Sequence, residues 1–113
     1  MTEAEKDWRE TNWEIPEGEF AVFGKVYTDP EHTDKVEAIY RETTKRAHEE
    51  EGTLSYCLGR DPDDPSIIHF FERYTSKAAF EKHNDQQIIQ DLVNSGWMKD
   101  VKAVFVKPIP PAK

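Results

Sequence analysis

The stretch from Glu51 to His83, EGTLSYCLGRDPDDPSIIHFFERYTSKAAFEKH, constrains the fold of this chain more than any other. Two short apolar and aromatic runs, Thr53–Leu58 and Ile67–Tyr74, flank a turn rich in Asp and Pro. In the first run Leu54, Tyr56 and Leu58 alternate with Ser55, Cys57 and Gly59. That is the period of a strand, whose successive side chains point to opposite faces. The second run is denser in apolar residues, as in a strand covered on both faces. Residues 59–65 (GRDPDDP) supply turn chemistry, because proline presets φ and aspartate side chains bond nearby backbone. The spacing predicts a β-hairpin that feeds directly into a helix carrying His83.

The flanking segments complete the pattern. Phe20–Tyr27 (FAVFGKVY) reads as a first strand, with Phe20, Val22, Gly24 and Val26 on one face and Ala21, Phe23, Lys25 and Tyr27 on the other. Asp29 or Thr33 is placed to cap the helix that follows. Val36, Ile39, Tyr40, Thr43 and Ala47 then recur at helical spacing over about residues 31–50, with Gly52 as the C-cap. A second helical region over about residues 76–94 is interrupted by the polar Asp85–Gln86–Gln87, which marks a break. Lys102–Ile109 reads as the last strand, stopped by Pro108, Pro110 and Pro111. The order is β-α-β-β-α-β, an α+β, ferredoxin-like arrangement with a four-stranded antiparallel sheet. Two helices cover only one face of such a sheet, so the other face needs a partner, and a homodimer is the simplest one. Alternation alone leaves open which set of residues faces the helices.

Residues 1–18 hold Trp8, Trp13 and Ile15, large apolar groups that a disordered tail usually lacks. The expectation is an arm packed on the domain or on a partner subunit. Twenty-three acidic against 15 basic residues give a net charge of −8, which repels phosphate backbones and anionic bilayers. Nucleic acid and membrane are therefore poor partners. No apolar run approaches the roughly 18–20 residues of a membrane helix, and no basic-then-apolar leader opens the chain. The single cysteine, Cys57, fits a reducing compartment and reads as a small packed strand residue. The expected location is cytoplasmic.

Gly52, the strand with Tyr56, the turn RDPDDP, FFERY, the helix onset SKAAF and His83 together resemble the antibiotic biosynthesis monooxygenase (ABM) domain family over about residues 20–107. The resemblance implies a dimeric α/β barrel built from two ferredoxin-like sheets. It implies a domain over 19–109, after an N-terminal extension (1–18) and before a short tail (110–113). It also implies a ligand pocket between sheet and helices. Family activities include oxidation of quinols and anthrones by dioxygen without metal or flavin, and haem breakdown. Haem-degrading members carry an asparagine on the first strand where this chain has Gly24, which argues against that activity here. The expected function is a cofactor-independent monooxygenase acting on a small aromatic substrate with dioxygen. The alternatives are a ligand-binding or stress-response protein without turnover, and an isomerase or decarboxylase using the same pocket.

No P-loop, GxGxxG, HExxH, GxSxG or CxxC motif is present, and His32, His48, His69 and His83 lack zinc-site spacing. No metal or cofactor is expected. Asp61, Asp63 and Asp64 lack the distal bidentate acid of a calcium loop and read as turn formers. Phe80, His83, Asn84 and Gln87 share one helical stripe that turns from apolar to polar, as a wall facing an aromatic ligand would. His83 is the candidate base or proton relay. Arg73 and Tyr56 are candidates for holding substrate oxygens. Phe71, Phe80 and Trp97 are candidate apolar walls, with Asn84 and Gln87 as polar contacts. His69, inside a dense apolar strand, reads as a core or interface residue.

Overall fold

The computed structural model describes residues 7–112. Four strands and three helices follow one another as β1 (Phe20–Thr28), α1 (Thr33–Ala47), β2 (Thr53–Arg60), β3 (Ile67–Tyr74), α2 (Lys77–Asn84), α3 (Gln87–Val93) and β4 (Met98–Val106). The strands form one antiparallel sheet in the order β2-β3-β1-β4, the ferredoxin-like arrangement.

Burial resolves the face that alternation left open. Phe20, Val22 and Val26 are buried beneath the helices, while Phe23 keeps 40% of its surface. The helix-facing set continues with Ile68, Phe70, Glu72 and Tyr74 on β3 and with Val101, Ala103 and Phe105 on β4, by register. Two apolar clusters result. Val26, Val36, Ile68, Leu92 and Met98 form one. Phe20, Val22 and Tyr74 centre the other, with Phe80 and Phe105 packed against them.

The uncovered face accounts for where three residues lie. Cys57 is exposed and not packed, because it lies on the side that no helix reaches. His69 is there too, bonded at 2.8 Å to Asp61, outside the core and on the face left for an interface. Phe71, in the strand expected to be covered on both faces, is 44% exposed. Cys57, Phe71, Phe23 and Val104 pair in register and so make one apolar row across all four strands.

Other boundaries shift for local reasons. The long second helix is two helices. At the break, the Asp85 N–H closes α2 on Glu81 and His83, and Gln86 is extended at ψ 137°. Strand β4 begins at Met98, four residues early, because Met98 pairs with Thr28 past an irregularity in the ladder. Neither Asp29 nor Thr33 caps α1, whose N-cap is His32. Asp29 instead accepts the Glu31 N–H, and Thr33 bonds Thr28 at 2.6 Å. The turn residues behave as expected, with Asp61 accepting the N–H groups of Asp63 and Asp64. Asp61 also bonds His69, and that hydrogen bond leads those from the two backbone N–H groups in holding its carboxyl down at about 2.

Gly52 does not end α1 through a left-handed turn, since among the described residues only Gly18 and Gly96 have positive φ. It is needed for closeness: a Cβ there would collide with Ala79 of α2. Gly24 is similar, because a Cβ would strike the Lys102 carbonyl of β4. Position 24 therefore has no room for a side chain unless β4 moves.

The N-terminal arm packs on its own domain. Trp8 donates from Nε1 to the Met98 carbonyl at 3.1 Å, and Trp13 lies against Phe105 with ring centroids 6.1 Å apart. Among the described residues no helix is long and apolar enough to cross a membrane.

Candidate functional site

The arm, the three helices and the covered face of the sheet enclose a cavity of about 420 Å³, within the size range of small-ligand sites. Its walls are mostly apolar: Val22 and Val26 of β1, Phe70 of β3, Ala103 and Phe105 of β4, Phe80 of α2, Leu92 of α3. Trp8, Arg9 and Trp13 of the arm close one side. Tyr56, Glu72 and His83 cluster at one end around the ring of Tyr74, and Asn84, Gln90 and Arg9 add further polar lining.

His83 is the junction of this end. It sits in the last turn of α2, only 3% exposed, between the rings of Tyr56 (5.0 Å between centroids) and Tyr74 (5.7 Å). Its Nδ1 lies 2.7 Å from Glu50 Oε1. Glu50 precedes β2 and is held further by the Thr53 hydroxyl at 2.8 Å and by Gln86 Nε2 at 2.8 Å. The helix break turns Gln86 toward Glu50, which a continuous helix would not do. Burial raises the Glu50 carboxyl, but the hydrogen bonds from His83, Thr53 and Gln86 outweigh it and hold the group below its ordinary range. Glu50 and Gln86 line a second, outer cleft, and His83 belongs to both spaces.

Three tyrosines approach this end. Tyr56 bonds the Thr43 hydroxyl at 2.9 Å, Tyr74 donates to Glu72 Oε1 at 2.5 Å, and Tyr40 lines the wall. Burial first, then the negative charge of Glu72, pushes all three phenols far above the usual value. They remain protonated at any physiological pH and act as hydrogen-bond donors, not as bases.

Of the residues expected at the site, the structure brings His83, Tyr56, Phe80 and Asn84 together around the cavity. The others lie elsewhere. Arg73 and Phe71 are on the opposite face of the sheet, where Arg73 Nη2 bonds Glu19 at 2.8 Å. Gln87 starts a new helix beyond the break and bonds Asp91 at 2.7 Å, which takes it off the His83 stripe. Trp97 stacks on His32 with ring centroids 5.5 Å apart, under Lys35. Sequence reasoning missed Glu72, Tyr74 and Glu50. Glu72 left a readable signal: it shares the parity of Ile68, Phe70 and Tyr74, so a carboxylate falls on the apolar side of a strand. Glu50 left none, because its partner lies 33 residues away. Among the described residues, no three His, Cys, Asp or Glu side chains converge as metal ligands.

The family model for antibiotic biosynthesis monooxygenases matches residues 19–95, from just before β1 to just past α3. The chain is a member of the ABM family. The fold of this ABM protein is shared with solved structures. A solved antibiotic biosynthesis monooxygenase is 26% identical with a TM-score of 0.70, covering 80% of this chain and 99% of the other. PA3566 from Pseudomonas aeruginosa is 20% identical with a TM-score of 0.73, covering 82% and 96%. Rv0793 from Mycobacterium tuberculosis is 21% identical with a TM-score of 0.69, covering 84% and 99%. No curated protein matches the chain. The matched region of this ABM chain stops short of the arm, so Trp8, Arg9 and Trp13 are cavity walls that family membership does not supply.

Proposed function

We propose that this protein is a cofactor-independent monooxygenase that oxidises a small, flat, electron-rich aromatic of the quinol or anthrone type with dioxygen. The observation that carries the reading is the mostly apolar cavity on whose wall His83 is fixed by Glu50. ABM membership supports the reaction class. Such substrates reduce dioxygen themselves once deprotonated: a ring CH₂ and O₂ give C=O and water, with all four electrons from the substrate. The protein's part is to bind the aromatic, move protons and exclude bulk water. Phe80 and the arm tryptophans sandwich the ring, Tyr56 and Asn84 hold oxygens, and His83 relays protons to the outer cleft.

The test is oxygen uptake by the purified, metal-stripped protein against a panel of quinols and anthrones, with a no-enzyme control for autoxidation. Catalysed uptake with at least one substrate, unaffected by chelator, is the expected result. Saturable ligand binding without uptake sinks the oxygenase reading and leaves a binding protein.

The working form is a homodimer that buries the uncovered sheet face. The apolar row of Phe23, Phe71 and Val104 supports this, since these side chains keep 40%, 44% and 51% of their surface, unusual for a contiguous patch facing water. Arg73 and Phe71, remote from the cavity of their own chain, would then contribute to the interface. Replacing Phe23 and Phe71 together by aspartate is expected to yield a monomer by analytical ultracentrifugation. A dimer that survives the double change refutes this interface.

A further inference from the structure

Glu72 has the most unusual surroundings of any carboxylate in the described chain. It projects from the covered face of β3 into the shell between sheet and helices, is half-buried, and lines the cavity. Tyr74 donates to one oxygen at 2.5 Å. The second oxygen has no hydrogen-bond partner among the described residues. The groups that face it are the phenols of Tyr74 (β3), Tyr56 (β2) and Tyr40 (α1), with His83 of α2 and Glu50 beyond it; β1 and β4 present only apolar side chains to the cavity. Arg9 lies on the arm side.

The three phenols stay protonated, and Nδ1 of His83 is engaged by Glu50, so the second oxygen of Glu72 is an open acceptor on the cavity wall. We propose that Glu72 is a catalytic residue that accepts the proton from the acidic O–H of a phenol bound in the cavity, and that His83, backed by Glu50, later returns it to solvent. In this step the ligand O–H bond breaks and its electron pair stays on the phenolate oxygen. The proton goes to the free oxygen of Glu72. Glu72 becomes neutral as the ligand becomes anionic, so the two never carry like charges side by side. Burial raises the Glu72 carboxyl above its ordinary range, against the opposing pull of Tyr74 and His83. That brings its proton affinity closer to that of a phenol.

This deepens the oxygenase reading but needs no dioxygen, so it is tested anaerobically. The probe is 4-nitrophenol, whose anion is yellow, added to the full chain at a pH where Glu72 is ionised. Visible absorption reports the anion, and infrared difference spectra report a newly protonated carboxyl. Wild type is expected to gain both signals in equal stoichiometry. Glu72→Gln, which keeps an acceptor for Tyr74, should bind the dye colourless and gain no carboxyl band, while Glu50→Gln keeps the band. Failure of wild type to bind the dye, or to gain the band, overturns the proposal, as does a band that persists in Glu72→Gln.

Thermal unfolding against pH checks the same group without ligand. A carboxyl raised by the fold favours the native state only while protonated, so wild type loses stability as pH rises through the folded-state value. Glu72→Gln should lack that fall, and an unchanged profile counts against the proposal. Where oxygen uptake is catalysed, Glu72→Gln should lower kcat about 10²–10⁴-fold with KM little changed. Anaerobic proton transfer without oxygen uptake would leave Glu72 assigned and refute only the oxygenase reading.

Discussion

Turnover is expected to fall by about 10²–10⁴-fold when His83 is replaced by alanine, the range in which loss of a positioned proton-transfer group is measured. The effect follows from placement. His83 alone among the cavity's polar groups also borders the outer cleft, and its orientation is set by the 2.7 Å contact with Glu50. Added imidazole should restore part of the rate, because alanine leaves room for it beside Tyr56 and Tyr74. A rate within about twofold of wild type would remove His83 from the mechanism.

The same change has a structural signature. Glu50 loses one of its three side-chain donors while Thr53 and Gln86 still hold it, a loss of about 0.5–1.5 kcal/mol for one hydrogen bond. The Glu50 carboxyl is lowered in the fold, so its stabilisation is present above the unfolded carboxylate value and lost as pH falls through the lower folded one. Without His83 that lowering shrinks. Acid unfolding, followed by Trp fluorescence, should therefore begin at a higher pH in His83→Ala.

The largest loss of stability should come from Phe20→Ala. Phe20 is fully buried at the start of β1, and its ring meets Tyr74 at 5.8 Å, Phe80 at 5.5 Å and Phe105 at 5.8 Å between centroids. The Phe80 contact is edge-on at 85°, a favoured aromatic geometry. Removing a buried phenylalanine costs about 3–5 kcal/mol through lost transfer energy and the void left behind, against a whole-domain stability of about 5–15 kcal/mol. Urea unfolding of Phe20→Ala and Phe20→Leu reads the effect, with leucine retaining most of the stability. A loss below about 1 kcal/mol for alanine would mean that this cluster does not anchor the domain.

Much of the fold was legible because local rules and tertiary structure agree. The strand carrying Tyr56 and Leu58, the Asp-Pro turn and the interruption at residues 85–87 all appear where the pattern puts them, while a shift in the ladder between Thr53 and Ser55 leaves Leu54 exposed. The start of β4 was less legible. Met98–Asp100 look polar and loop-like, yet their backbone completes the ladder with β1, and hydrogen bonding to a neighbour outweighs local character. Gly52 shows the same limit, since its role depends on Ala79 of another helix.

The site divides along similar lines. His83, Tyr56, Phe80 and Asn84 could be named from their chemistry and spacing, because a helical stripe and a strand parity are local. Arg73 could not be placed, as a single parity choice for the sheet sends it to the far face and Glu72 to the cavity. By itself the sequence determined the order of elements, the family and the histidine of the second helical region, all properties of neighbouring residues. Only the tertiary structure decided which sheet face is covered, that the arm walls the cavity, and that Glu50, His83 and Glu72 meet. Those outcomes depend on contacts between residues far apart in the chain, and no local period encodes them.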